Sequence, residues 1–424
     1  QNPHPPQTEI DTGMPNTGHR HWLAWLCASR AIVSVGFMMY AGALPLLLQA
    51  WSMTAAQAGF VQTGFNSGYA LSLVLTGWLS DRLGAKRLFL WSSAATAVVG
   101  ILVALFARSF ESGAVLFTLL GLSQGGTYTP AIMLVAQGVD AKRRGFAIGL
   151  LLAGASLGYA ASIAVSTVVS QLANYQAAFL ICGAAPMLAA VCAWLGSRHR
   201  PNHIPRHVPP APNVPVVSHR RSSTLLTLGY TAHCWELLGM WAWTPAFLLS
   251  SIAISSMTSG LGVLAQGIWI GVVVHLSGCI AAFTMGHASD RFGRRTVLLS
   301  IASLGAICSM SIGWLGDLPS GLLLLIVALY GFAVIGDSPV LSTAISETVA
   351  PASLGSALAL RSILGFGAGG MAPLAFGAVR DATTPGLEWA TAFSCLGVGG
   401  LLAAVFAFFL PRLNKSAAPS RATR

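Results

Sequence analysis

Gly77-Trp78-Leu79-Ser80-Asp81-Arg82-Leu83-Gly84-Ala85-Lys86-Arg87 decides how this chain folds, because the stretch occurs twice. The second copy, Gly286-His287-Ala288-Ser289-Asp290-Arg291-Phe292-Gly293-Arg294-Arg295, lies 209 residues on (286 − 77). Thr129-Pro130 returns as Ser338-Pro339 at the same interval (339 − 130), and Gly145 returns as Gly355 at 210. Separate features sharing one interval mark a duplicated chain.

Working outward from each copy, the flanks are long apolar runs. The chain has 424 residues, of which 54% are hydrophobic and 8% charged, with a mean hydropathy of +0.70. A soluble domain carries about 25% charged residues, so there is too little charge here for a water-facing surface. A bilayer core takes about 20 apolar residues per helix. Runs of that kind fall near 22–49, 55–79, 88–107, 113–137, 145–170 and 176–196, then near 224–250, 260–288, 296–315, 321–346, 355–379 and 387–410. Between the sixth and seventh, residues 197–223 are rich in Pro, His and Arg and cannot continue an apolar helix. The expected organisation is a disordered tail over 1–21, a six-helix bundle over 22–196, a linker over 197–223, a second bundle over 224–411 and a tail over 412–424.

Lys and Arg set the orientation. Of the 23 basic residues, nineteen fall on the side shared by the two ends, including Arg82, Lys86, Arg87, Arg291, Arg294 and Arg295. Arg108 and Arg380 fall on the other side, and Arg30 and Arg361 within helices. Both ends are therefore expected in the cytoplasm of a bacterial inner membrane, crossed many times. A net charge of +11 raises nucleic acid as a partner, but its placement in short loops suits anionic headgroups instead. The seven cysteines lie inside apolar runs with no paired spacing and read as small buried hydrophobes. No GxxxxGK[ST] occurs, so no nucleotide-driven chemistry, cofactor or metal is expected.

The GxLxDRxGxxR pattern and its echo resemble the signature loop of the major facilitator superfamily, and the resemblance spans about residues 22–411. In the first copy Ala85 stands where that family often has Arg. The resemblance implies an all-α membrane protein of twelve helices in two pseudo-symmetric bundles, moving solute by alternating access rather than catalysing a reaction, and working as a monomer. It also implies a latch: Asp81 beside Arg82 and Arg87 would contact the eleventh helix, with Asp290 and Arg291 in the second copy and Arg361 as further gating groups. A carboxylate at a helix N-terminus is favoured by about 0.3–1 kcal/mol. The competing reading is a plain basic turn.

Charged groups at bilayer depth cost about 2.5–3.5 kcal/mol or more and so face a cavity or a partner. Arg30, Glu236, Asp337 and Arg361 are the clear cases. In the family, helices 1, 4, 7 and 10 line the path, which assigns Arg30, Gln124, Tyr128, His233, Glu236, Met240 and Asp337 to substrate. Glu236 and Asp337 are assigned to proton coupling, or else to hydrogen bonds between helices. His233, Glu236, Met240 and Trp243 share one helix face by spacing. Asp337 precedes Ser338-Pro339, where a kink is expected. Arg361 reads as snorkelling or pairing with Asp337, and His275 as structural. The arginines favour a small organic or inorganic anion moved with protons. Alternatives are a drug or metabolite exporter, a copper importer prompted by Met38, Met39, His233, Cys234 and Met240, and a sensor or scaffold that moves nothing.

Overall fold

The computed structural model describes residues 16–139, 141–204, 220–252, 260–349 and 351–411. Residues 1–15, the C-terminal tail and most of the inter-bundle linker lie outside the described residues, whereas 16–21, expected in the disordered tail, already belong to the first helix. The first half comprises α1 (Asn16–Ser34), α2 (Met39–Ala50), α3 (Ala55–Leu83), α4 (Ala85–Phe106), α5 (Phe110–Gly125), α6 (Thr129–Gly138), α7 (Ala141–Leu172) and α8 (Tyr175–Ser197). The second comprises α9 (Arg220–Ile252), α10 (Gly260–Phe292), α11 (Arg294–Ile312), α12 (Ser320–Thr348), α13 (Pro351–Ala382) and α14 (Glu388–Phe409).

Fourteen described helices fill twelve positions, because the first and fourth are broken. Their expected spans, 22–49 and 113–137, are interrupted between Ser34 and Met39 and between Gly125 and Thr129. Nine positions are long and apolar enough to cross a membrane by length and composition. The other three are α3, the α5–α6 pair and α9, which carry Gln62, Asn66, Gln124, His233 and Glu236.

The duplication is visible in backbone geometry. α3 and α10 end 209 residues apart (292 − 83), and α4 and α11 begin 209 apart (294 − 85). The glycine between each pair has the same conformation, φ +87° at Gly84 and +89° at Gly293. This region is open to glycine and costs other residues of order 1–3 kcal/mol, so each copy of the repeat turns on a residue without a Cβ.

The halves meet along α3 against α13, α7 against α10, and α2 against α9. The driving force is close backbone approach, since lipid gives no hydrophobic gain between helices. Gly59 lies against the Pro373 carbonyl and Gly377 against the Ala55 carbonyl, with no room for a Cβ at either. Large apolar side chains such as Leu157, Phe283 and Leu325 face outward, as a lipid-facing surface requires.

Candidate functional site

Arg30 is the organising charge of the first half. Its side chain is 2% exposed. Nη1 donates to Thr127 Oγ1 at 3.3 Å and Nη2 to the Tyr159 hydroxyl at 3.3 Å. The guanidinium lies 5.1 Å from the Tyr128 ring centroid, and Tyr69 adds a further hydroxyl within its reach. Nε has no partner. Among the described residues no carboxylate lies within 4.0 Å of it, for the ion pairs there involve only His233, Arg294 and their acids.

The broken helices build this pocket. At the gap between α1 and α2 the Val33 carbonyl, held within the chain only by a 3.2 Å bond from the Gly36 N–H, accepts from Gln124 Nε2 at 2.7 Å, and the Met38 N–H donates to Ser162 Oγ at 3.1 Å. Irregular backbone at bilayer depth survives where protein groups satisfy it in this way. The gap between α5 and α6 presents Thr127, whose hydroxyl donates to the Gln124 carbonyl at 2.7 Å and also receives Arg30. Both interruptions therefore meet at one arginine. Tyr159 carries the pocket across the interface: its ring is 5.7 Å from Trp241 and 5.6 Å from His275, both of the second half. Tyr69 lies 6.0 Å from Phe366 of α13.

The acids of the second half are turned elsewhere. Asp337, on α12, places Oδ1 2.8 Å from His233 Nδ1, while the Ser338 hydroxyl is 2.8 Å from His233 Nε2. Adjacent residues of α12 thus grip both nitrogens of one imidazole on α9. Asp337 also borders a narrow apolar crevice with Leu225, Gly229, Leu298 and Ala403. Glu236, 3% exposed, lies against Gly305 of α11 and Gly400 of α14. Oε1 has no partner. Beside it the Ser309 and Tyr330 hydroxyls are 2.6 Å apart.

Several expectations need correction. Glu236 points into the interior of the second bundle, away from Arg30, and Met240 is packed in the apolar core. The stripe of α9 that looks across at the first half contains Tyr230 and Trp241, roughly 100° round the helix at 3.6 residues per turn. Spacing finds a face without saying which way it points, and both faces carry aromatic residues. Gln124 pegs the broken first helix from beneath. Arg361 does not pair with Asp337. Its Nη1 and Nη2 each donate to Ser342 Oγ at 3.2 Å, and its guanidinium stacks 4.0 Å from the Tyr230 ring centroid. α12 runs as one helix through Pro339, whereas its repeat mate Pro130 sits in the first turn of α6, just past a break. The groups that prompted the copper alternative are separately engaged: His233 by Asp337 and Ser338, Met38, Met39 and Met240 in the core, Cys234 beside Tyr230.

The two copies of the repeated loop have diverged. In the second, Arg294 bonds Asp290 at 2.7 Å and Glu347 at 2.8 Å, so Asp290 is held within its own half instead of being free to act across halves. In the first, the equivalent position is Ala85, and Asp81 pairs with none of the described residues. Arg82 stacks 4.0 Å from Trp78. Lys86 Nζ donates to the Arg200 carbonyl at 2.6 Å, and the Arg87 N–H donates to Asn202 Oδ1 at 3.4 Å.

The side away from these basic loops holds a contact the sequence reading missed. Asp381, at the end of α13, accepts from the Ala55 N–H at 2.9 Å and the Ala56 N–H at 2.7 Å, the first two N–H groups of α3. A carboxylate there satisfies free donors and the helix dipole together. The available signal was positional: Asp381 closes the eleventh helix much as Asp81 closes the second.

A sequence model described as Major Facilitator Superfamily matches residues 26–362. The chain is 28% identical over 347 residues to a probable 4-methylmuconolactone transporter of Cupriavidus pinatubonensis, covering 76% of this chain and 75% of that one. It is 30% identical over 162 residues to a probable sulfoacetate transporter of Cupriavidus necator, covering 38% and 37%. In structure it resembles a bacterial homologue of the lysosomal transporter Spinster in an inward-facing, unoccupied conformation, with a TM-score of 0.72 and 16% identity over 94% of this chain and 98% of that one. The duplicated loop, the paired six-position bundles and the extent of these matches place the chain in the Major Facilitator Superfamily of membrane transporters.

Proposed function

We propose that this protein is a secondary transporter of small organic anions, working by alternating access in a bacterial inner membrane with its basic loops in the cytoplasm. One observation carries the reading: Arg30 is buried, has a free Nε and has no carboxylate within 4.0 Å among the described residues. An uncompensated guanidinium at bilayer depth is costly, and a bound carboxylate or sulfonate would compensate it with charge-assisted hydrogen bonds. The names of the two relatives above, for 4-methylmuconolactone and sulfoacetate, fit that chemistry.

Proton coupling is assigned to the second half. His233 and Asp337 form a buried pair beside a crevice leading toward the basic face, and Glu236 lies deeper with no cation within 4.0 Å among the described residues. Gating is assigned to α3 and α13, which are joined on the far side by Asp381 at the start of α3; the start of α13, where Asp81 would reach, lies outside the residues whose side chains are described. The Asp381 contact is made here, which supports a state closed on the far side.

The test is flux into proteoliposomes with 4-methylmuconolactone and sulfoacetate as trial anions, with and without an inward pH gradient. Uptake that depends on the gradient and is lost in Arg30→Gln is expected. Equal uptake in the variant would refute the anion site, and flux indifferent to pH would refute the coupling.

A further inference from the structure

Arg361 repeats, from the opposite half, the unusual situation of Arg30. It is 9% exposed, its Nε lacks a partner, and no carboxylate lies within 4.0 Å of it among the described residues. What it touches is neutral: the Ser342 hydroxyl and the face of Tyr230. Asp337, the acid with which it was expected to pair, lies against His233 instead. The two arginines share a neighbour, since Tyr128 of the first half lies within electrostatic reach of both and also of Tyr230. Arg30 sits 5.1 Å from the centroid of this tyrosine, and Arg361 stacks on Tyr230 of α9.

We propose that Arg30 and Arg361 form a two-point site for a small dianion, one acid group held by each half, with Tyr128 and Tyr230 walling the scaffold between them. The proposal rests on the anion reading above and narrows it to a preference for molecules with two acid groups, such as short dicarboxylates and sulfocarboxylates, over monoanions such as 4-methylmuconolactone. Two like charges on opposite halves repel as the halves close, and the repulsion strengthens as water leaves. A monoanion neutralises one guanidinium and leaves the other buried alone. A dianion neutralises both and bridges the halves, so closure is favoured only around the right cargo; a ligand shifts a conformational equilibrium by its differential affinity for the two states.

The experiment is binding to the purified full-length protein, read by intrinsic tryptophan fluorescence because Trp241 borders the Arg30 pocket. Matched probes are succinate against butyrate, terephthalate against benzoate, and sulfoacetate against acetate. In the unaltered protein each dianion should bind at least tenfold tighter than its partner. Arg361→Gln should reduce that advantage to under threefold, and Arg361→Lys, which keeps the charge, should retain an intermediate preference and covers the case in which the glutamine variant does not fold. Monoanions binding as tightly as dianions, or an undiminished preference in both variants, would overturn the two-point site while leaving the anion reading intact. Failure of every probe to bind the unaltered protein would overturn both.

Discussion

The two halves descend from one pattern, yet they solve the problem of a polar group in the membrane in opposite ways. In the first half the backbone gives way: two helices break, Gln124 and Ser162 satisfy the freed groups, and the gaps frame a guanidinium without an acid. In the second half the corresponding helices, α9 and α12, run unbroken, and the side chains pair with one another, His233 held between Asp337 and Ser338. An imidazole beside a carboxylate is suited to holding a proton, and a guanidinium without an acid among the described residues to holding a solute. The repeated loops diverge in the same sense: Arg294 ties Asp290 down in the second half, whereas in the first Ala85 stands in its place and Asp81 pairs with none of the described residues.

The comparison breaks first, if it breaks, at Arg30. Loss of two charge-assisted hydrogen bonds to substrate is worth about 3 kcal/mol, so Arg30→Gln should lower transport about 100-fold, measured as initial uptake into proteoliposomes at matched protein density. A residual rate within threefold of the original would place the anion elsewhere.

The two loop glycines offer a sharper test of divergence. Both have φ near +90°, and alanine at either should cost of order 1–3 kcal/mol in strain. At Gly84 a Cβ would also displace Asn202, whose Nδ2 donates to the Leu83 carbonyl at 2.7 Å, while at Gly293 nothing lies within 4 Å. Thermal unfolding in detergent should therefore show a larger loss for Gly84→Ala than for Gly293→Ala, and equal losses would mean the Asn202 contact contributes nothing.

Asp381→Asn removes the charge from the bridge to α3 and keeps one acceptor. About 1–2 kcal/mol of helix-terminus interaction corresponds to a five- to thirtyfold shift between states. Double electron–electron resonance between labels on the far ends of α3 and α13 should show a second, longer distance in the variant. The smallest effect belongs to Arg294→Ala. Its partners are largely exposed, so the loss should stay below about 1 kcal/mol, visible as a small drop in thermal stability without loss of transport.

How much of this is legible in the sequence depends on what kind of signal each feature leaves. The duplication is legible because Gly77–Arg87 and Gly286–Arg295 repeat residue by residue, and a glycine at positive φ cannot drift. The buried charges are legible because Arg30, Glu236, Asp337 and Arg361 stand alone in apolar surroundings. The direction each one points is not, since α9 carries polar and aromatic groups on two faces and only packing decides which one meets the first half. The helix breaks left faint marks, Gly36 and the pair Gly125-Gly126 before Pro130, and the matching Ser338-Pro339 shows that the proline alone does not dictate a break. Asp381 was passed over because an acid beside Arg380 at a helix end reads as an ordinary loop flank until the start of α3 is seen beside it.

The division of labour between the buried arginines and the buried acids is tested most directly by comparing anion exchange with proton-driven accumulation in Asp337→Asn. In sealed proteoliposomes carrying sulfoacetate on both sides, the variant should exchange labelled sulfoacetate at close to the original rate and fail to accumulate it under an inward pH gradient. Loss of exchange along with accumulation, or gradient-driven accumulation that survives the substitution, would contradict the assignment of solute to the arginines and proton to the Asp337 cluster.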